Sequence, residues 1–162
     1  MPFAIGIESG RTAANLGTLM RSAVEFGASA VFTVGRRYQR DPSDTVGAAH
    51  QIPIMHFEDW RSLKGAWPID WVPVGVELSP GAESIVNFTH PRRAIYLLGP
   101  EDGALSIPTR VQIVIPTRRC LNVAVAGSIV MYDRAMKEIR SGRAAATAPT
   151  PLGRDTLAEA RR

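Results

Sequence analysis

Five short apolar runs constrain this chain more than any other feature: Phe3 to Ile7, Ala30 to Val34, Trp71 to Val76, Ala94 to Leu98 and Val111 to Ile115. Each has strand length and is bounded by turn residues, and segments of helical or polar character separate them. The helical pattern is clearest from Asn15 to Phe26, where apolar residues fall at 16, 19, 20, 23, 24 and 26 and Gly27 supplies a stop. A second long helix is expected from Asn122 to Arg140, with Val123, Ala126, Val130 and Met131 marking its apolar face, and a short one from Glu58 to Lys64. Gly35 to Pro53 reads as turn and polar chain, broken most clearly at Asp41-Pro42-Ser43. Strands alternating with helices predict an α/β domain built on a mostly parallel sheet with helices on both faces. That domain is expected over residues 1–140, and the Ala/Pro/Thr-rich residues 141–162 read as a mobile tail.

Composition narrows the partners. The formal charge is +4 and the pI about 9.8, which permits an anionic partner such as nucleic acid without demanding one. Half of the surplus lies in residues 141–162, with four arginines against Asp155 and Glu159. The single cysteine, Cys120, precludes an intrachain disulfide and suits a reducing cytoplasm. No run approaches the roughly 18 apolar residues of a membrane span, so a soluble cytoplasmic protein without membrane association is expected. His50, His56 and His90 have no metal-ligand spacing, and no metal is expected; they read as surface or satisfied core residues. Trp60, Trp67 and Trp71 read as core or interface residues rather than base-stacking platforms.

Ligands of a parallel sheet bind beyond the carboxyl ends of its strands. Three segments leaving strand ends, 77–79, 99–103 and 116–122, are unusually polar and are expected to build one pocket. Three constellations carry possible chemistry. In Asn15-Leu16-Gly17-Thr18-Leu19-Met20-Arg21, Gly17 and Arg21 are four apart and share a helix face, while Asn15 stands where it could cap the helix or orient a ligand. On spacing alone this reads first as an N-capped amphipathic helix with a surface arginine. In Leu97-Leu98-Gly99-Pro100-Glu101-Asp102-Gly103-Ala104-Leu105, a strand ends in Gly-Pro and exposes backbone groups that could hydrogen-bond a ligand edge; an ordinary strand-to-helix turn reads the same. In Ile115-Pro116-Thr117-Arg118-Arg119-Cys120-Leu121-Asn122-Val123-Ala124-Val125-Ala126-Gly127-Ser128, Asn122 can cap the following helix, and the small residues let it pack closely.

Taken together and in this order, Asn-x-Gly-x-x-x-Arg, Leu-Gly-Pro-Glu-x-Gly-Ala-Leu and Ile-Pro-(x)n-Leu-Asn-Val-Ala-Val-Ala resemble the three motifs of the SpoU (TrmH-like) branch of SPOUT methyltransferases, over roughly residues 3–140. The resemblance implies a fold with a C-terminal deep trefoil knot, a homodimer, and transfer of a methyl group from S-adenosylmethionine to a ribose 2′-hydroxyl of RNA. It implies Arg21, Asn15, Glu101 and Asn122 as the catalytic set. It implies cofactor contacts at Val76, Glu77, Leu98, Gly99, Gly103, Ile115, Pro116, Cys120, Leu121 and Val123, largely through backbone groups. Many relatives carry Ser where Cys120 stands. A guanidinium does not readily accept protons, so Arg21 is read as a fixed charge stabilising the developing alkoxide rather than as a base.

For RNA, Arg36, Arg37, Tyr38 and Arg40 place guanidiniums and an aromatic in one loop, and Arg118 and Arg119 lie beside the expected cofactor loops. The chain opens directly on its first strand, so the catalytic dimer is expected to bind RNA itself, with tRNA favoured over rRNA because compact members of the family often act on tRNA. The alternatives are an rRNA substrate or an RNA-binding member without catalysis. A nicotinamide-dependent oxidoreductase is set aside because Gly6-Ile7-Glu8-Ser9-Gly10 does not form the dinucleotide-binding glycine turn.

Overall fold

A computed structural model of the chain describes residues 1–37 and 47–144. Tyr38, Arg40 and the tail from 145 onward lie outside the described residues. Seven strands form one sheet in the order β3-β2-β1-β6-β4-β7-β5, with every pairing parallel. Three neighbouring interior strands, β1 (Phe3–Glu8), β2 (Ala30–Val34) and β6 (Ala94–Leu98), are buried at every position. Strands covered on both faces read as continuous apolar runs, which is why these were legible.

Flanking them are β4 (Val72–Val76) and β7 (Val111–Val114). Two strands depart from expectation. β3 (Ile54–Phe57) and β5 (Glu83–Ser84) occupy the two edges, in segments without a five-residue apolar run. Edge strands are covered on fewer sides, so β3 carries an exposed Met55 and a His56 whose Nδ1 lies 3.0 Å from Thr33 Oγ1.

Helices cover both faces. α1 (Ala13–Glu25) and α3 (Val123–Arg140) lie on one, where Leu16, Leu19, Met20, Val130 and Met131 pack on Ile5, Ile7, Val31 and Leu98. α2 (Trp60–Ala66) covers the other, where Leu63 packs with Phe32, Ile95 and Leu97. Trp60, Trp67 and Trp71 border that second core half-buried, the first two meeting edge to face at 5.0 Å. α3 packs closely because residue 127 is glycine: a Cβ there would stand 2.4 Å from the Leu19 Cδ1 of α1.

From β1 the chain runs outward through β2 to β3, then crosses to β4 and returns to place β6 between β1 and β4. The strand order therefore reverses beside β1 and β6. Ligand crevices form at such switch points.

Candidate active site

Three carboxylates at this crevice hold the loop that leaves β6. Glu8, at the end of β1, is 8% exposed and accepts hydrogen bonds from the Ser106 backbone N–H, at 2.7 Å, and from the Ser106 hydroxyl. Glu77, just past β4, accepts from the N–H groups of Leu105 (2.7 Å) and Leu78 (2.8 Å). Gly99 makes that second strut possible, because a Cβ would lie 3.1 Å from both Glu77 Oε2 and the Leu105 nitrogen. Glu101 reaches furthest. It accepts from the N–H groups of Arg11 (2.9 Å) and Thr12 (3.1 Å) and from Asn15 Nδ2 (2.9 Å).

Thr12 is the N-cap of α1 but makes no side-chain cap bond, so Glu101, from a loop some ninety residues on, supplies the negative charge and acceptors this helix start lacks. Burial pushes the Glu101 carboxyl up, but the hydrogen bonds from Arg11, Asn15 and Thr12 outweigh it and hold the group below the usual carboxylate range.

The chain of polar contacts continues. Asn15 Oδ1 accepts from Asn122 Nδ2 at 2.9 Å, and Asn122 Oδ1 caps α3 by accepting from the Ala124 N–H (2.9 Å) and the Val125 N–H (3.3 Å). Glu101, Asn15 and Asn122 thus link all three constellations. Asn122 caps as expected. Asn15 does not: Ala13 and Ala14 favour helix, α1 starts two residues earlier, and the Asn15 amide is committed to its two partners.

Beside this chain lies a cavity of about 400 Å³ at the ends of β4, β6 and β7. Val76, Glu77, Leu98, Gly99 and Gly103 line it, facing Ile115, Cys120, Leu121 and Val123. Pro116 is exposed and lies outside the lining, because the chain turns outward there. Its charged lining residues, Glu77, Glu101 and Asp102, are all acidic.

Arg21 lies on the exposed side of α1, outside this lining, while Gly17 is buried. The buried stripe of α1 runs through Leu16, Leu19, Met20 and Ala23, and Arg21 falls off it. Arg118 and Arg119 are exposed between cavity residues Thr117 and Cys120, where the Thr117 hydroxyl donates to the Arg119 carbonyl at 2.8 Å. Arg36 and Arg37 line a second cavity on the far side of the α1 start. Sequence reasoning missed Glu8; an acid closing an apolar strand at its carboxyl end was the available signal.

No curated protein matches the chain. Among solved structures, it is similar to the SpoU methyltransferase AviRb from Streptomyces viridochromogenes in complex with AdoMet, at TM-score 0.71 and 20% identity, covering 84% of this chain and 57% of that one. This chain therefore spans little more than half of AviRb. It is also similar to the A. aeolicus TrmH/SpoU tRNA modifying enzyme, at TM-score 0.77 and 16% identity over 98% of this chain and 84% of the other. A structure concerning 2-OH methylation of C/U34 on tRNA gives TM-score 0.71 and 20% identity over 88% and 98%. At these identities the likeness establishes the fold. The sequence profile of the SpoU rRNA methylase family matches residues 2–132, carrying all three constellations in order, and the chain belongs to that family.

Proposed function

We propose that the chain transfers a methyl group from S-adenosylmethionine to a ribose 2′-hydroxyl of RNA, with tRNA preferred to rRNA, and that it works as a homodimer. The observation that carries this reading is the acidic, partly apolar cavity walled by loops that the Glu101–Asn15–Asn122 chain ties together. A sulfonium ligand is cationic, and the cavity offers Glu77, Glu101 and Asp102 with no basic residue among the described residues of its lining. Val76, Leu98, Leu121 and Val123 would cover its apolar parts, and backbone groups of Gly99 to Gly103 and Ile115 to Leu121 would read its polar edges.

When bound, S-adenosylmethionine supplies an electrophilic methyl carbon. The ribose oxygen would take that methyl group, leaving a neutral thioether on the donor, and the hydroxyl proton would pass to solvent. Alignment supplies much of the barrier reduction in such a step. Asn15, Glu101 and Asn122 are positioning residues: they fix the start of α1, the loop after β6 and the start of α3 relative to one another. Arg21 acts as a fixed positive charge for the developing alkoxide or a neighbouring phosphate. Standing outside the cavity lining, it meets the acceptor from the RNA or partner side. Arg118 and Arg119 hold RNA phosphates at the cavity mouth.

The homodimer reading is supported by exposed apolar residues, Val125 and Tyr132 on α3 and Leu121 just before it, continued by the half-buried Phe26 that follows α1, whose ring meets Tyr132 at 6.3 Å. The tRNA preference is supported by two of the similar structures, the A. aeolicus tRNA modifying enzyme and the one concerning C/U34 of tRNA. The trefoil knot belongs to the same reading, since β6 enters between β1 and β4 and the 115–122 segment shares a cavity with the 99–103 loop.

The test uses methyl-labelled S-adenosylmethionine with tRNA and rRNA, followed by alkaline hydrolysis. A 2′-O-methyl group blocks cleavage of the adjoining phosphodiester, so label is expected in alkali-resistant dinucleotides. Label released in mononucleotides, or no incorporation, overturns the reading.

A further inference from the structure

We propose that the cavity between β1, β2 and the start of α1 is a subsite for one unpaired nucleotide of the RNA, its phosphate held by Arg11, Arg36 and Arg37; this rests on the RNA reading above. The cavity measures about 330 Å³, within the range of small-ligand sites. Its floor is Ile7, Leu16 and Thr33, and among the described residues the three guanidiniums are the only charged groups in its lining. An apolar floor under a cationic rim suits a flat base carrying a phosphate, which is how unpaired RNA is taken up.

The position of the arginines follows from the chain. Gly35, at φ +83°, turns the chain sharply out of β2, and a Cβ there would stand 3.0 Å from Ser9 Oγ. Arg36 and Arg37 follow directly and are exposed, and among the described residues neither makes an ion pair. Arg11 does make one: its Nη1 lies 2.5 Å from Asp102 Oδ2, with both side chains more than half exposed. Such a pair is weak, and the fork keeps further N–H groups for a phosphate.

Asp102 lines the acidic cavity and Arg11 lines the basic one, so this pair and the Glu101 bonds to Arg11 and Thr12 form their common wall. Two cavities of opposite charge thus flank one helix start. The acidic one suits a cationic methyl donor, and the basic one suits the polyanion that receives the methyl.

The experiment measures binding of a fluorescent single-stranded RNA of about ten nucleotides between about 50 and 200 mM salt, alongside calorimetry with S-adenosylmethionine. The double variant Arg36→Ala/Arg37→Ala is expected to weaken RNA binding at least about tenfold and to reduce the log–log salt slope by about 0.7 per lost phosphate contact, with donor affinity unchanged. Ala13→Trp fills the cavity without changing charge, and should weaken RNA binding while leaving the slope intact. Wild-type affinity and slope in the double variant overturn the proposal. So does weakening by the double variant with no effect of Ala13→Trp, which would put the phosphate on an open surface. If inorganic phosphate at millimolar concentration displaces nothing, the contacts belong to the polynucleotide as proposed; full displacement of the RNA overturns the base-binding part. Wild-type protein that binds this RNA but not S-adenosylmethionine would instead defeat the methyl-transfer reading and leave the subsite standing.

Discussion

The two ends of α3 face different problems. At its start, Asn122 joins Asn15 and Glu101 in a chain of hydrogen bonds that is open to solvent and borders the cavity. Some 18 Å along the axis, its last turns close a buried ionic cluster. There Arg134 is 1% exposed; it donates to the carbonyls of Met1, Pro91 and Arg92 and to the Tyr96 hydroxyl, and pairs with Glu138 at 2.9 Å. Its guanidinium also lies 5.2 Å from the centre of the Phe3 ring. Asp133 accepts from His90 and Lys137, and Lys137 in turn donates to the carbonyls of Ile85 and Phe88. One end therefore uses side chains to orient backbone beside the cavity, whereas the other uses them to fasten the helix to the 85–93 segment and the N-terminus. Function and stability are expected to separate along one helix.

The largest effect should come from the buried end. Arg134→Ala leaves Glu138 with the Met1 ammonium alone, at 3.3 Å, and strands several carbonyls, and should cost about 3–5 kcal/mol in denaturant unfolding, with donor affinity preserved in the folded fraction. At the other end, Glu101→Ala removes three accepted bonds and should lower kcat about a hundredfold, the scale of a one-ångström misplacement. Its stability cost should stay near the 0.5–2 kcal/mol of a lost cap. Asn122→Asp sharpens the contrast. It keeps the cap acceptor but loses the N–H to Asn15, so turnover should fall about tenfold while stability stays within about 0.5 kcal/mol. Equal losses of stability at both ends would erase the distinction.

The smallest effect is a pH dependence. Burial pushes His90 below its ordinary value, against the pull of Asp133. Tyr96 is pushed up to about 12 by burial and keeps its proton. Its hydroxyl accepts from Arg134 and so donates to His90 Nδ1 at 2.6 Å, leaving Nε2–H to donate to Asp133. Neutral His90 fits this pattern. Because its folded pKa lies below the unfolded value of about 6.5, its contribution is complete above that pH and declines as pH falls toward the folded pKa. Melting temperatures followed downward from pH 7 should show this decline, and His90→Gln should remove it.

The site end was legible in the sequence and the clamp was not. Residues 99–103 and 115–122 follow strands whose apolar runs announce them, and Asn15, Glu101 and Asn122 stand at motif positions. The clamp joins Met1, His90, Tyr96 and residues 133–138, and no local pattern connects them. Asp133/Lys137 and Arg134/Glu138 are spaced i,i+4, a pattern that reads as a solvated helix face, yet Arg134 is enclosed. The edge strands β3 and β5 escaped for a related reason: half-covered and short, they need no continuous apolar run. Glu8 falls just past the first apolar run, and only the fold brings Ser106 to it.

The central claim, that the acidic cavity holds the methyl donor, has a direct handle in Cys120, which is exposed and lines that cavity. The rate at which a maleimide modifies Cys120 should fall at least about tenfold in saturating S-adenosylmethionine and should be unaffected by nicotinamide dinucleotides. An unchanged rate, with binding of S-adenosylmethionine established by calorimetry, would place the donor elsewhere and contradict the account.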